Sequence, residues 1–308
     1  MMEFRTLSFL YNPGTPEEVK ALDNISLTIG AHEFVGLLGH TGSGKSTLVQ
    51  HMNGLNLPSL GKVIINGLDT QGPKENLKRI RQEVGLVFQY PEDQLFEETI
   101  YKDIAFGPKN LGLSKEEIDR RVRTAMADVG LDFEQMAELS PFEISGGQKR
   151  RVAIAGVLAL EPHYLVLDEP TAGLDPRGRD EILGRLLEIY QSRASMTIVL
   201  VTHSMEDVAT YANRILVMDR GRLVGDGTPK EIFAREQELE AIGLSVPQVT
   251  RLMGLLRKKG LDVTDCALTV EEAFQSLERV LSPKQAAEGE QGAMSLSGYE
   301  EEGRPAHE

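Results

Sequence analysis

The sequence is poor in cysteine and in long hydrophobic runs, and it has no tryptophan. Its single cysteine, Cys266, cannot form an internal disulfide, which fits a reducing compartment. No window approaches the roughly 20 apolar residues that span a bilayer, and Met1–Arg5 begin no apolar signal sequence. We therefore expect a cytoplasmic chain that reaches a membrane through a partner.

Basic residues are also scarce relative to acidic ones. Lysine and arginine number 33 against 47 aspartate and glutamate residues, and the formal net charge is -14. Nucleic-acid backbones bind clustered basic side chains, so this balance argues against a nucleic-acid partner. A local loop can still bind ATP, because the N-terminus of a helix attracts phosphate. The 308 residues, 41% of them hydrophobic, suffice for one large domain or two smaller ones.

One stretch matches a phosphate-binding loop. Residues 39–46 read G-H-T-G-S-G-K-S and fit G-x-x-x-x-G-K-[ST] at every fixed position. The loop follows an apolar run typical of a buried strand and precedes a helical pattern, as the motif requires. The alternative is a glycine-rich turn before an ordinary helix, which this context disfavours. The predicted nucleotide contacts here are Gly39, His40, Thr41, Gly42, Ser43, Gly44, Lys45, Ser46 and Thr47.

Helices and strands alternate along the chain. The sequence patterns predict strands at 4–11, 25–29, 34–38, 61–67, 84–88, 165–168, 197–201, 215–219 and 222–224. They predict helices at 115–129, 148–160, 177–192, 247–259 and 269–280. This alternation predicts a mainly parallel sheet that is covered on both faces.

Several polar side chains come directly after predicted strands. Ligands of such sheets bind at the carboxyl ends of the strands, so we expect one shared site. Lys45 would reach the outer phosphates and Ser46 would offer a hydroxyl to Mg²⁺. Asp168 would position Mg²⁺, directly or through water, and Glu169 would act as general base on the attacking water. The residues that share this placement are Lys45, Gln89, Asp168, Glu169 and His203.

Two further features bear on nucleotide binding. Tyr11, at the end of the first strand, could stack on adenine or could be an ordinary exposed aromatic residue. Ser145, Gly146, Gly147 and Gln148 open a second helix, which is a second candidate anion site. Because one nucleotide needs one such helix start, we expect this one to serve a nucleotide that another chain holds.

The ordered set of motifs resembles that of the ATP-binding subunits of ABC transporters. It comprises the loop 39–46, Gln89, the signature 144–148, the pair 168–169, the segment 172–175 and His203. The resemblance covers roughly residues 3–235. Two departures are conservative: Ile144 stands where leucine is usual, and Gly173 stands where alanine often occurs.

A narrower resemblance is to the ATPases of energy-coupling factor transporters, which import vitamins and metal ions. It rests on the segments 12–16, 88–96 and 150–156, and the segment 11–16 resembles the second, A-prime type of ATPase. The resemblance implies a P-loop NTPase core of the α/β class, with a helical subdomain and a small C-terminal helical region. The implied domains are a nucleotide-binding domain at 1–240 (helical subdomain about 91–160), a dimerisation region at 241–283 and a disordered tail at 284–308.

The resemblance also implies roles and partners. His203 would bond the γ-phosphate and orient Glu169, and Gln89 would sense the metal or the attacking water. Residues 145–147 would contact the γ-phosphate of the partner chain's ATP, and Asp175 would couple the two sites. The implied partners are a second ATPase, expected to be similar but not identical, a transmembrane coupling subunit and a small substrate-binding membrane subunit. A groove at 90–96 would receive the membrane partner, unless this segment is an ordinary solvated loop.

The implied function is ATP hydrolysis, with ATP and Mg²⁺, that drives solute import at the cytoplasmic face of the membrane. Three alternatives remain open at this point. The chain could be a soluble ABC-type ATPase that acts on DNA or ribosomes, the ATPase of another ABC importer, or a catalytically inactive partner. The absence of a coiled-coil insertion disfavours the first, and the intact Glu169, His203 and signature disfavour the last.

Overall fold

The structure, a computed structural model, contains two β-sheets and describes residues 1–264 and 266–281. The predicted tail at 284–308 lies outside the described residues. The strands are β1 (Met2–Tyr11), β2 (Val19–Ile29), β3 (Phe34–Leu38), β4 (Leu60–Ile65), β5 (Leu68–Asp69), β6 (Val84–Val87), β7 (Tyr164–Asp168), β8 (Thr197–Val201), β9 (Arg214–Asp219) and β10 (Arg222–Gly227).

Helices connect most of these strands. They are α1 (Lys45–Met52), α2 (Lys74–Glu83), α3 (Ile100–Asn110), α4 (Lys115–Asp128), α5 (Phe133–Met136), α6 (Gly146–Leu158), α7 (Pro176–Ser192), α8 (Met205–Tyr211), α9 (Pro229–Phe233), α10 (Glu236–Ala241), α11 (Gln248–Lys258) and α12 (Val270–Leu281). Short 3₁₀ turns lie at Pro91–Gln94 and Pro141–Glu143. Within the described ranges, none of the helices combines the length and apolar character needed to cross a bilayer.

The larger sheet confirms the predicted parallel architecture. Its strand order is β10-β9-β3-β8-β7-β6, and every pair except the β9–β10 hairpin is parallel. Residues on the two faces of its strands enter separate cores. Phe34, for example, packs with the helices α3–α7, whereas Val35 packs with α1 and the smaller sheet. Because both faces are covered, strands such as β3 and β8 are buried along their whole length instead of alternating.

The smaller sheet is antiparallel, with the strand order β2-β1-β4-β5. The predicted strand 25–29 is too short, since β2 begins at Val19. The first half of β2 pairs with the end of β1, where Val19 lies opposite Tyr11 and Lys20 opposite Leu10. Val19 and Lys20 are exposed and only Leu22 of this half is buried, so backbone pairing with β1 forms the strand without a regular alternation of buried and exposed residues.

The helices α3, α4 and α6 pack together on one face of the large sheet. In the chain they lie between β6 and β7. At the other end of the chain, α11 and α12 enclose a small core of their own, made of Met253, Val263, Ala267 and Ala273. The segment that leads to them packs against the main body, where Leu244 and Val246 contact the core beneath β9 and α9.

A glycine in β3 sets how closely α8 can approach the sheet. A Cβ on Gly36 would lie 2.4 Å from Cγ1 of Val208. We therefore expect Gly36→Ala to lower the free energy of unfolding by about 1–3 kcal/mol, as overpacked cores do. Urea unfolding would measure this loss, and adding Val208→Ala should recover part of it. Gly184→Ala is the matched control, because a Cβ there meets nothing within 4 Å; equal stability of both single variants would contradict the prediction.

Candidate active site

A cleft of about 740 Å³ lies at the carboxyl ends of the large sheet's strands. The phosphate loop forms its floor, and residues from β2 and the β9–β10 hairpin form one wall. Its lining residues are Tyr11, Val19, Lys20, Ala21, Thr41, Gly42, Gly44, Lys45, Ser46, Thr47, Gln89, Asp168, Glu169, Ala172, His203, Arg220 and Gly221. All five residues predicted to share one site from their positions after strands are therefore in one cleft.

The phosphate loop is held in place by its own lysine and by the neighbouring hairpin. Lys45 Nζ donates to the carbonyl oxygens of Gly39 at 2.6 Å and His40 at 3.1 Å. The N–H of Gly221 donates to the carbonyl oxygen of Ser43 at 2.9 Å. Gly44 has a φ of +102°, and a Cβ there would lie 2.7 Å from the carbonyl oxygen of Ala21. Only glycine fits this position without strain.

Two polar side chains of the loop, those of His40 and Ser43, are not among the residues that line the cleft. His40 Nε2 lies 2.8 Å from Asp219 Oδ1, and its Nδ1 lies 2.7 Å from the carbonyl oxygen of Thr41. Ser43 is buried, and its hydroxyl has no hydrogen-bond partner among the described residues. His40 therefore joins the loop to the end of β9, a contact that the loop motif alone does not reveal.

The acidic pair at the end of β7 has two different environments. Asp168 is the last residue of the strand and accepts a hydrogen bond from Ser46. Glu169 follows with a φ of +51°, and its N–H donates to the carbonyl oxygen of Val201 at 3.0 Å. His203 Nδ1 lies 2.9 Å from Glu169 Oε2. Left-handed backbone is uncommon outside glycine, and here it turns the Glu169 side chain toward His203.

Burial shifts the pKa values of the charged groups in the cleft. Desolvation raises the pKa of the Glu169 carboxyl, and His203 opposes this shift. Desolvation also raises the pKa of Asp168, while Ser46 and Lys45 act in the opposite direction. The pKa of Lys45 is lowered by burial, although the two carboxylates favour its charged form. The cleft therefore holds one ammonium group close to two carboxylates in a partly desolvated space.

Tyr11 and Gln89 lie at different parts of the cleft. The Tyr11 hydroxyl is 3.3 Å from Thr47 Oγ1, and its ring packs edge-to-face on Phe9 with centroids 4.8 Å apart. Tyr11 as a whole is 38% exposed and lines the cleft, so a ligand in the cleft can reach it. Gln89 lines the cleft two residues after the end of β6.

The second predicted helix start is outside this cleft. The side chain of Ser145 caps α6 by accepting from the N–H of Gln148 at 3.3 Å, and Gln148 Oε1 accepts from the N–H of Ser145 at 3.0 Å. Asp175 caps α7, since its Oδ1 accepts from the N–H of Gly178 at 2.8 Å. Neither Asp175 nor any residue of 145–148 lines the cleft.

Sequence reasoning missed part of the cleft wall. Lys20 and Ala21 come from the first half of β2, and Arg220 and Gly221 come from the β9–β10 turn. The turn itself is visible in the sequence as Arg-Gly between two short strands. Its contact with the phosphate loop depends on the order of strands in the sheet, which no local pattern reports.

Comparison with known proteins places this fold and cleft in a broad class of ATPases. The family model described as "ABC transporter" matches residues 22–172. A solved ATP-binding cassette, a dimer in a post-hydrolysis state bound to ADP and Pi, has a TM-score of 0.66 and 29% identity and covers 74% of this chain and 99% of its own. The cbiO1 protein of Clostridium perfringens, part of the ABC transporter complex cbiONQ, has a TM-score of 0.69 and 38% identity, with 82% and 98% coverage.

Curated relatives narrow the assignment. The energy-coupling factor transporter ATP-binding protein EcfA2 of Clostridium tetani is 54% identical over 283 residues, which is 92% of this chain and 98% of the relative. The protein of that name from Caldanaerobacter subterraneus is 56% identical over 280 residues, or 91% and 97%. The chain belongs to the energy-coupling factor transporter ATP-binding protein family of ABC ATPases. The predicted resemblance is thus confirmed.

Proposed function

We propose that the chain is the ATP-hydrolysing subunit of an energy-coupling factor importer and powers uptake of a vitamin or metal ion through a membrane partner. The observation that carries the proposal is the convergence of Lys45, Ser46, Asp168, Glu169 and His203 on one cleft. These residues come from the ends of three different strands, so that only the folded sheet brings them together. The family supplies the transport context, and the cleft supplies the chemistry.

The donors in the cleft fit ATP with Mg²⁺. The N–H groups at the start of α1 and the ammonium of Lys45 would hold the phosphates, since a helix N-terminus attracts anions. Ser46, Asp168 and Gln89 offer hydroxyl, carboxylate and amide oxygens, which are the hard ligands that Mg²⁺ prefers. The ring of Tyr11 would stack on adenine. Bound Mg²⁺ would neutralise charge on the phosphates during transfer.

Glu169 is the candidate general base. Its carboxyl accepts a hydrogen bond from His203 on one side, and burial raises its pKa. A raised pKa makes the carboxylate a better proton acceptor for the attacking water, provided it is still ionised at the working pH. His203, whose side chain is 81% exposed, would then orient Glu169 and reach toward the γ-phosphate.

The pH profile should report this arrangement. Because burial raises the pKa of Glu169, turnover should fall on the acid side at a higher pH than a fully solvated glutamate would give. His203 lowers the pKa of Glu169, so in His203→Ala the remaining activity should have its acid limb shifted to still higher pH. Measuring kcat against pH for both proteins tests this, and a shift to lower pH in the variant would contradict it.

The remote helix start supports a two-chain site. Ser145 and Gly146 are exposed, and a Cβ on Gly146 or Gly147 would meet nothing within 4 Å. The start of α6 thus presents the N–H groups of its first turn on a surface that this chain's own cleft does not use. We assign it to the γ-phosphate of an ATP held by a second ATPase, with Asp175 between the two sites. Closure of the pair would then depend on ATP, because only ATP supplies that contact.

Other surfaces fit the remaining partners. Phe96 and Phe106 are exposed at the edge of the helical region and pack edge-to-face at 5.0 Å, which suits an apolar segment of a transmembrane coupling subunit. Leu255 on α11 and Phe274 on α12 are also exposed, and they suit a dimerisation contact with a similar, non-identical ATPase. A small substrate-binding membrane subunit would select the solute, and the chain would sit at the cytoplasmic face of the membrane.

Co-purification would test the proposal directly. The tagged chain would be expressed in its native cell, membranes would be extracted with mild detergent, and the bound proteins would be identified. A second ATPase, a multi-span membrane protein and a small solute-binding membrane protein are expected, and the last would identify the solute. Recovery of the chain with ribosomes or DNA, or alone in the soluble fraction, would overturn the proposal.

A further inference from the structure

Arg150 on α6 is almost fully buried, at 2% exposure. Its side chain donates hydrogen bonds to two segments outside its own helix. Its Nε and Nη2 donate to the two carboxylate oxygens of Glu92, at 3.0 and 2.5 Å. Its Nη1 donates to the carbonyl oxygens of Pro170 at 3.1 Å and Ala172 at 2.6 Å. One guanidinium therefore joins the start of α6, the turn at 91–94 and the segment after β7.

Each joined segment is next to a residue of the proposed mechanism. Glu92 lies three residues after Gln89, and Pro170 directly follows Glu169. Ala172 itself lines the cleft, and the same segment continues to Asp175. Residues 145–147, proposed to meet the partner's ATP, begin the helix that carries Arg150. A displacement of Glu92 would therefore be transmitted through the Arg150 side chain both to the segment after Glu169 and to the start of α6.

Two exposed aromatic residues flank the Glu92 segment in the chain. Tyr90, with a left-handed φ of +54°, is 46% exposed, and the Arg150 guanidinium lies 5.8 Å from its ring centroid. Phe96, at the other end of the turn, is 60% exposed. A partner that docks on Tyr90 and Phe96 would press on the turn that positions Glu92.

Stability alone is a weak reason for this arrangement. Well-packed apolar residues can often replace a buried ion pair without loss of stability. A bidentate guanidinium bond instead fixes the relative orientation of the groups that it joins, which a lysine cannot reproduce. The network is therefore suited to make three segments move together.

We propose that Arg150 is the positioning residue that transmits docking of the membrane partner at Tyr90–Phe96 to the segment carrying Glu169. The inference rests on the proposed function, since it requires a membrane partner. In this role Glu92 senses the docked partner, and the carbonyls of Pro170 and Ala172 receive the displacement. Stimulation of ATP hydrolysis by the membrane partner, and solute uptake per ATP, then depend on Arg150.

The test compares turnover of the purified ATPase pair in solution with turnover of the complete complex in lipid vesicles. The variants are Arg150→Met, Arg150→Lys and Glu92→Gln. Arg151→Met is the matched control, because Arg151 is the next residue on α6 and makes an ion pair with Glu181 at 2.7 Å that reaches neither segment. We expect the ratio of the two turnover rates to fall roughly two- to thirtyfold in the first three variants and to remain at the parent value in the control.

Four outcomes decide the question. A reduced ratio with reduced uptake per ATP, in Arg150→Lys as well as Arg150→Met, supports the proposal. An unchanged ratio overturns it, whether turnover stays at the parent rate or falls equally with and without the membrane partner, as a purely structural role predicts. A parent ratio in Arg150→Lys would mean that charge alone suffices and would also overturn it. Failure of the parent chain itself to assemble with a membrane protein would contradict the proposed function instead.

Discussion

Glu169→Gln should abolish most ATP turnover while leaving ATP binding intact. The amide keeps the size of the side chain and can still bond to His203, but it cannot accept the proton of the attacking water. A positioned general base contributes typically about 10²–10⁴-fold, so kcat should fall by that order. Turnover of the assembled ATPase pair by phosphate release, with ATP affinity measured separately by equilibrium binding, would check both parts.

A second readout and a control variant make this prediction more specific. In the proposed mechanism ATP closes the pair and hydrolysis reopens it, so Glu169→Gln should accumulate as a stable ATP-bound dimer in gel filtration. Glu83→Gln is the matched control, since Glu83 pairs with His163 before the start of β6, away from the cleft; it should retain parent turnover. Unchanged turnover in Glu169→Gln would remove Glu169 from its assigned role.

The large sheet could be predicted because its strands are buried on both faces. Val84–Val87 and Thr197–Val201 are buried at every position, and apart from Thr197 they contain only apolar residues. Such short runs indicate buried strands even though they show no alternation. The helix α3 could not be predicted this way, because Gly107 and Pro108 fall within its last turn and read as helix breakers. Similarly, α2 buries only Ile80 and has almost no apolar face to recognise.

The same distinction applies to the candidate site, where some groupings could be predicted from local sequence and others could not. Lys45, Asp168 and His203 could be grouped from sequence because each follows a strand, and the rule for parallel sheets then gives the shared edge. The contacts of His40 with Asp219 and of Gly44 with Ala21 could not. The first joins the ends of two neighbouring strands of the large sheet, and the second brings the phosphate loop against the smaller sheet. Strand order alone decides that these residues meet. The hydrogen bonds of Arg150 could not be predicted from the sequence for the same reason.

Gly146→Asp should inactivate one site of the ATPase pair without disturbing the fold. A side chain at Gly146 meets open space, and a carboxylate in the first turn of a helix interacts favourably with the helix dipole. In the assembled pair, however, the same carboxylate would face the γ-phosphate that the N–H groups of α6 are proposed to bind. Losing one such preorganised anion contact costs about 10²–10³-fold in rate, and like-charge repulsion adds to the loss.

That experiment is informative because it shows which of the two ATP sites loses turnover. ATP affinity of the isolated chain and its thermal unfolding midpoint should stay at parent values, because the chain's own cleft is untouched. In a pair with a non-identical ATPase, turnover should disappear from the site built on the partner's phosphate loop. Adding Glu169→Gln to the same chain inactivates this chain's own site, so that any remaining turnover comes from the partner's site. Gly146→Ala, which adds volume without charge, should lose less. If Gly146→Asp instead weakened ATP binding by the isolated chain, the start of α6 would serve this chain's own nucleotide, and the two-chain site would be wrong.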